Sequence, residues 1–183
     1  MSENVSRSIT LVELIKRTDL IVIGTKVDSS LFTEDRYIIS SPPFTSRYYL
    51  FSLSEVIFTR SESLPVPQKL HIYCADDTLH YQLYKKYVID GLKISVETDF
   101  YSSDIPLEQT AVLILFLKKE QRAGKFSFTV NGAYESISRI QEIKDILQSI
   151  SRKQEQSDQS ARPFIILTLR INLFCQYALL LKY

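Results

Sequence analysis

The sequence predicts an α+β fold in which an antiparallel β-barrel is flanked by a helix at each end. Three observations predict it. Side chains that suit a pleated, half-buried surface are abundant, with 11 Tyr and 10 Phe against 4 Gly and no Trp. The apolar alternation within Arg47 to Arg60 changes phase part-way along, as in strands that bend around the corner of a small barrel. Helical spacing of apolar residues is strongest towards the two ends, near residues 9–17 and 136–151. At 183 residues and 45% hydrophobic, the chain is long enough to bury one substantial core.

The elements follow in order. A short helix is expected from Ile9 to Arg17, with Thr10 and Glu13 spaced as a capping box and Leu11, Leu14 and Ile15 on one face. Leu20 to Val27 is an apolar run too short for a core helix, so it reads as a strand buried on both faces with a bulge or bend at Gly24. A weak strand is expected over Arg36 to Ile39, and Ser40-Ser-Pro-Pro43 ends it because proline lacks the donor. In Arg47 to Arg60 the apolar positions run Tyr49, Phe51, Leu53 and then Val56, Phe58, so an extra residue must be absorbed between Leu53 and Val56.

Pro65 and Pro67 precede a strand from Gln68 to Cys74. Its alternation places Leu70, Ile72 and Cys74 on one face and Lys69, His71 and Tyr73 on the more polar one. Tyr84 to Val96 reads as a hairpin closed by the Asp90-Gly91 turn, with a helical turn over Tyr81 to Lys86 as the competing reading. Thr110 to Leu117 is the strongest strand and belongs at the sheet centre, Lys118 to Gly124 is a charged hairpin loop, and Lys125 to Val130 alternates cleanly until Asn131-Gly132. A helix is then expected over Ser136 to Ser151, with Ile137, Ile140, Ile143, Ile146, Leu147 and Ile150 as its stripe.

The expected organisation is therefore a domain over residues 1–150, a polar linker over 151–162 and an apolar tail over 163–183. Phe164 to Leu181 has the length of a membrane-spanning helix and follows basic residues. Its eleven Leu, Ile and Phe residues contribute roughly −3 to −7 kcal/mol to insertion, against about +3 for Arg170 and further unfavourable terms for Asn172 and Gln176. Length alone thus does not decide for a membrane. As a strand, Ile165, Leu167, Leu169, Ile171 and Leu173 share one face and Thr168, Arg170 and Asn172 the other. That pattern favours packing on the protein or a partner, with a membrane anchor and a disordered or aggregation-prone end as the alternatives.

Asp19 to Val27, Tyr49 to Ile57, Ala111 to Leu117 and Phe126 to Gly132 together resemble small bacterial domains with an OB-like antiparallel β-barrel. Those domains carry a "DLIVVGTV" strand, a strand leading to a turn, and a "VLFL" strand before a final hairpin. The resemblance spans about residues 9–150 and is carried by strands rather than by catalytic residues. It implies a fold and no defined activity, since such barrels serve many functions. Thr59-Arg60-Ser61 stands where a lysine-glycine turn commonly follows the second strand.

Charge and motifs exclude more than they assign. The formal charge of +1, from 22 basic and 21 acidic side chains, gives no overall field for a polyanion. The four glycines stand apart, so no phosphate-cradling loop is present. Cys74 and Cys175 make neither a disulfide framework nor a zinc signature, and with no apolar leader at the start a cytoplasmic location is expected. The one cluster of chemical side chains is His71, Cys74, Asp76, Asp77 and His80. Strand parity turns His71 and Cys74 to opposite faces, and the spacing matches no usual zinc pattern, so neither a catalytic nor a metal site is assigned and no cofactor is expected. Asp76, Asp77 and Thr78 read as a turn. Arg47, Tyr48, Lys85, Lys86 and Tyr87 are the residues that a single-stranded nucleic acid would use on an OB-like face, but the net charge argues against that partner.

The expected function is a non-enzymatic binding module for protein, acting through a strand edge or through residues 163–183. A domain tethered to a membrane by its tail is the rival. Carbonate-resistant pelleting of the full chain, but not of a chain ending at Ile150, would distinguish it.

Overall fold

In a computed structural model of the chain, the described residues are 5–27, 32–37, 44–61, 66–75, 97–107, 112–120, 125–153 and 156. The chain divides into two compact units, Met1–Ile140 and Gln141–Tyr183.

In the first unit, β1 (Val5–Ser8) leads into α1 (Leu11–Arg17). The capping box is complete: the Glu13 backbone N–H donates to Thr10 Oγ1 at 3.2 Å, and the Thr10 N–H donates to Glu13 Oε2 at 3.0 Å. Leu11, Leu14 and Ile15 are the buried face, as their spacing requires. At the other end, the Arg60 guanidinium donates to the carbonyls of Lys16 at 2.5 Å and Thr18 at 3.0 Å. It thereby satisfies acceptors that a helix C-terminus leaves open.

The remaining strands are β2 (Leu20–Lys26), β3 (Phe32–Tyr37), β4 (Phe44–Thr59), β5 (Lys69–Tyr73), β6 (Glu97–Phe100), β7 (Leu113–Lys119), β8 (Phe126–Phe128) and β9 (Tyr134–Ser136). Five of them close a barrel in the order β2–β4–β5–β8–β7 and back to β2. Four seams are antiparallel, but β5 and β8 run parallel, Ile72 opposite Phe126. The barrel is therefore mixed, and the expectation of a wholly antiparallel one is corrected. Alternation within a strand fixes its faces and carries no information about the direction of its neighbour. β3 extends the sheet on β4 and β9 on β7, while β1 and β6 form a separate parallel pair.

The phase change in β4 has the expected cause. Pairing with β2 skips Ile57, between Val56 and Phe58, and skips Ser54, between Leu53 and Glu55. Each skipped residue is a bulge that bends the strand, and the Ser54 hydroxyl donates to the Ile23 carbonyl at 3.3 Å across the second one. Gly24 lies opposite this bulge, where an added Cβ would sit 3.0 Å from Leu53 Cδ2 and 3.2 Å from the Ser52 carbonyl. Close approach explains the glycine there.

Leu20, Ile21 and Val22 of β2 and all five residues Leu113–Leu117 of β7 are fully buried, along with Phe51 and Ile72. Each such side chain stabilises by about 1.5–3 kcal/mol. β7 begins at Leu113 rather than at Thr110, and Val112 before it is exposed. β3 is longer than the expected weak strand and starts earlier, at Phe32.

Ser136 begins a single 3-10 turn, Ile137–Arg139, rather than an α-helix. The α-helix, α2, covers residues 140–153. This corrects the expected start. The Ser136 hydroxyl caps this turn, its oxygen accepting from the Ser138 N–H at 3.3 Å, and Ile137 lies exposed instead of joining the apolar stripe. Within the second unit, Ile143 is buried and Ile146, Leu147 and Ile150 are half-buried. Gln141 bonds Asp145 at 2.9 Å one turn on.

The expected hairpin over Tyr84 to Val96 and the tail over 163–183 lie outside the described residues. Among the described residues, no helix is long and apolar enough to cross a membrane.

Candidate functional site

β5 sets the geometry of the 71–80 stretch. Leu70 and Ile72 point into the barrel and are buried, while Lys69 and His71 are exposed on its outer face. Cys74 follows Ile72 in parity and is half-buried. His71 and Cys74 are thus held apart by the pleat, as expected. Asp76, Asp77 and His80 lie outside the described residues. Among the described residues, no group of three or more His, Cys, Asp or Glu side chains could hold a metal ion.

His71 instead belongs to an aromatic cluster. Register pairs Tyr48 with Tyr73, Leu50 with His71, and Ser52 with Lys69, so these side chains share the outer face. The His71 ring stacks on Tyr48 with centroids 4.5 Å apart and planes 22° from parallel. Tyr73 also packs on Tyr48, with centroids 5.4 Å apart and planes tilted by 53°. The Lys125 ammonium stands 5.3 Å from the Tyr73 ring centroid, a cation–π contact.

One expectation fails here. Tyr73 shares the parity of Lys69 and His71, yet only 1% of it is exposed. Its neighbour across the parallel seam, Ser127, is buried as well. Near β8 the outer face is therefore covered, and it is open at His71 and Lys69. Of the residues suited to a nucleic-acid strand, Tyr48 is on this face and Arg47, one step along β4, is on the other. Lys85, Lys86 and Tyr87 lie outside the described residues.

At the end of the barrel, Arg47, Tyr49, Cys74, Phe128 and Tyr134 line a cavity of about 280 Å³. The Lys26 ammonium caps the Tyr49 ring at 4.4 Å. Tyr134 fixes the rim, its hydroxyl accepting from the Leu107 N–H at 3.1 Å.

Sequence reasoning missed a buried ionic cluster. Glu135 of β9 has no exposed surface, and its carboxylate accepts from the Tyr101 hydroxyl, the Arg139 guanidinium and the Ser136 N–H at 3.2 Å. Arg139 Nη1 also donates to the Tyr101 oxygen at 3.0 Å. Burial, reinforced by the adjacent carboxylate, pushes the Tyr101 hydroxyl well above its ordinary range, and Arg139 opposes this in part. Tyr101 therefore stays a donor. The i,i+4 spacing of Glu135 and Arg139 was a visible hint of their pairing, but nothing local pointed to Tyr101.

The charges of α1 behave more simply. The Thr10 backbone N–H, then its hydroxyl, hold the Glu13 carboxyl below its usual value.

Comparison with family models, curated proteins and solved structures returns no match. The geometry of the molecule therefore carries the functional argument.

Proposed function

We propose that the chain is a non-enzymatic binding module built on an OB-like barrel, and that it docks a protein partner on the open part of the outer β4–β5 face. The observation that supports this reading is the Tyr48–His71 stack, with His71 exposed and Leu50 and Lys69 beside it. A rigid ring pair offers contact area with few rotors to immobilise, which is why aromatic side chains concentrate at interface centres. The near-zero net charge suits a partner recognised by shape and apolar area rather than by long-range attraction.

The test places a photo-crosslinking side chain at the exposed, adjacent Ser52 in cells expressing the full chain. A protein adduct of discrete size that disappears with His71→Glu is expected. No adduct, or one indifferent to that substitution while the variant keeps its circular dichroism, would refute the reading.

A second reading has its own support. Lys118 pairs with Ser127, which pairs with Tyr73, so Lys118 shares the outer face with Lys69 and the stacked rings. Stacking surfaces among cations suit single-stranded nucleic acid. Fluorescence anisotropy of a labelled oligothymidylate would then show binding at low salt that fades as salt rises; flat anisotropy at low salt removes this reading.

A further inference from the structure

We infer that the cavity beside β6 is a binding site for a neutral, polyhydroxylated ring, that is, a sugar residue. The cavity encloses about 490 Å³, and its lining includes Arg17, Thr98, Asp99, Phe100, Thr129 and Asn131. It lies away from the outer β4–β5 face and is a different site from the one proposed above.

Charge decides the ligand class first. Arg17 pairs with Asp99, Asp99 lies 3.5 Å from Arg7, and Arg7 lies 3.0 Å from Glu13. Two guanidinium groups and two carboxylates alternate along this chain, so their sum is zero. An anion finds Arg17 already neutralised by Asp99. A cation finds Asp99 already held between two guanidinium groups. A ligand that carries hydroxyls and no charge meets neither obstacle.

The polar lining then fits such a ligand. Thr98 is held by the Ser6 hydroxyl at 3.3 Å and Thr129 by the Thr18 hydroxyl at 3.1 Å, which fixes where their oxygens lie. Each hydroxyl both donates and accepts, and so does a carboxamide through its two ends. Asn131 gives its backbone carbonyl to the Tyr101 N–H at 2.9 Å, while among the described residues its side-chain amide has no hydrogen-bond partner. A guanidinium and a carboxylate standing side by side present donors next to acceptors, the pattern that neighbouring hydroxyls on one ring require. Phe100 is 38% exposed at the same rim, and its apolar surface suits the C–H face of a sugar ring.

Pockets that take small ligands combine such an apolar wall with a few fixed polar groups. The feature this one adds is internal charge balance. The backbone holds it in place: Phe100 bridges to Asn131, and its carbonyl accepts from the Ile9 N–H at 2.9 Å.

The experiment is a nuclear magnetic resonance titration of the isotope-labelled full chain with glucose, N-acetylglucosamine and maltose. Glucose 6-phosphate and cyclohexanol serve as the charged and the hydroxyl-poor comparisons. At least one neutral sugar should shift the amides of residues 98–100 and 129–131 saturably, and more strongly than either comparison compound. Asn131→Ala, which removes an amide the fold does not use, should weaken that binding about five- to tenfold while leaving the rest of the spectrum in place. The inference is overturned if no neutral sugar shifts these amides, if the phosphate or cyclohexanol binds more tightly, or if Asn131→Ala binds as well as the parent chain.

Discussion

Replacing Arg139 by methionine is the most direct probe of the buried cluster. Methionine keeps the length and the apolar stem but removes the guanidinium, leaving the Glu135 carboxylate with the Tyr101 hydroxyl and one backbone N–H. Glu135 is 0% exposed, so its charge would remain in a low-dielectric site without a countercharge. Breaking a buried pair in this way costs about 3–5 kcal/mol. Because 26% of the Arg139 side chain is exposed, the lower end applies, about 3 kcal/mol. With a urea dependence of about 1.5 kcal/mol/M, the unfolding midpoint falls by about 2 M. Glu135→Gln removes the charge itself, so the double variant should be less unstable than the two single losses combined, with a coupling of about 2 kcal/mol. Urea unfolding of the four proteins, followed by circular dichroism, measures both quantities. A cost for Arg139→Met below about 1 kcal/mol, or a coupling near zero, would refute the reasoning, because neither a charged Glu135 nor a shared network allows it.

Two further outcomes follow from the same region. Gly132 has φ +75°, and an added Cβ would lie 2.2 Å from the Tyr101 carbonyl oxygen, so Gly132→Ala should destabilise by about 2 kcal/mol or more; an unchanged melting temperature contradicts this. Because the Tyr101 pKa is raised on folding, the folded state keeps this proton after the unfolded chain has lost it. Its contribution is therefore complete below the ordinary tyrosine value of 10.0 and is lost as pH rises beyond it. Ultraviolet titration should find Tyr101 among the tyrosines that ionise only with unfolding, and Tyr101→Phe should shrink that step by one tyrosine. A titration in which every tyrosine ionises reversibly in the folded protein would count against it.

What could be seen in the sequence were features whose cause is local. Thr10 and Glu13 announce α1 because a capping box closes within one turn. Leu53 to Val56 announces a bulge because an extra residue must flip the phase of every later side chain. The missed features depend on distant partners. Val5–Ser8 carries no apolar pattern of its own and becomes a strand by lying parallel to Glu97–Phe100. Tyr73 has the parity of a surface residue, and its burial depends on the packing over the outer face. Glu135 sits in a three-residue strand and is buried against Tyr101, 34 positions earlier. Its role needed the fold. As for the 71–80 stretch, parity separated His71 from Cys74 correctly, but the stack on Tyr48 came from the cross-strand neighbour that no periodicity names.

The parallel seam has a consequence for how the chain is made. β5 must wait for Phe126–Phe128 before its second edge is paired, since Ile72 finds its partner only at Phe126. During synthesis, β2, β4 and β5 are able to assemble as a meander while β7 and β8 are still to come. Through that interval an apolar strand with an open edge faces the cell, the state most open to mispairing with another chain. A ribosome stalled before Phe126 would hold a barrel that cannot shut. β8, the last barrel strand to be made and three residues long, thus acts as the latch that ends the vulnerable phase of the protein's life.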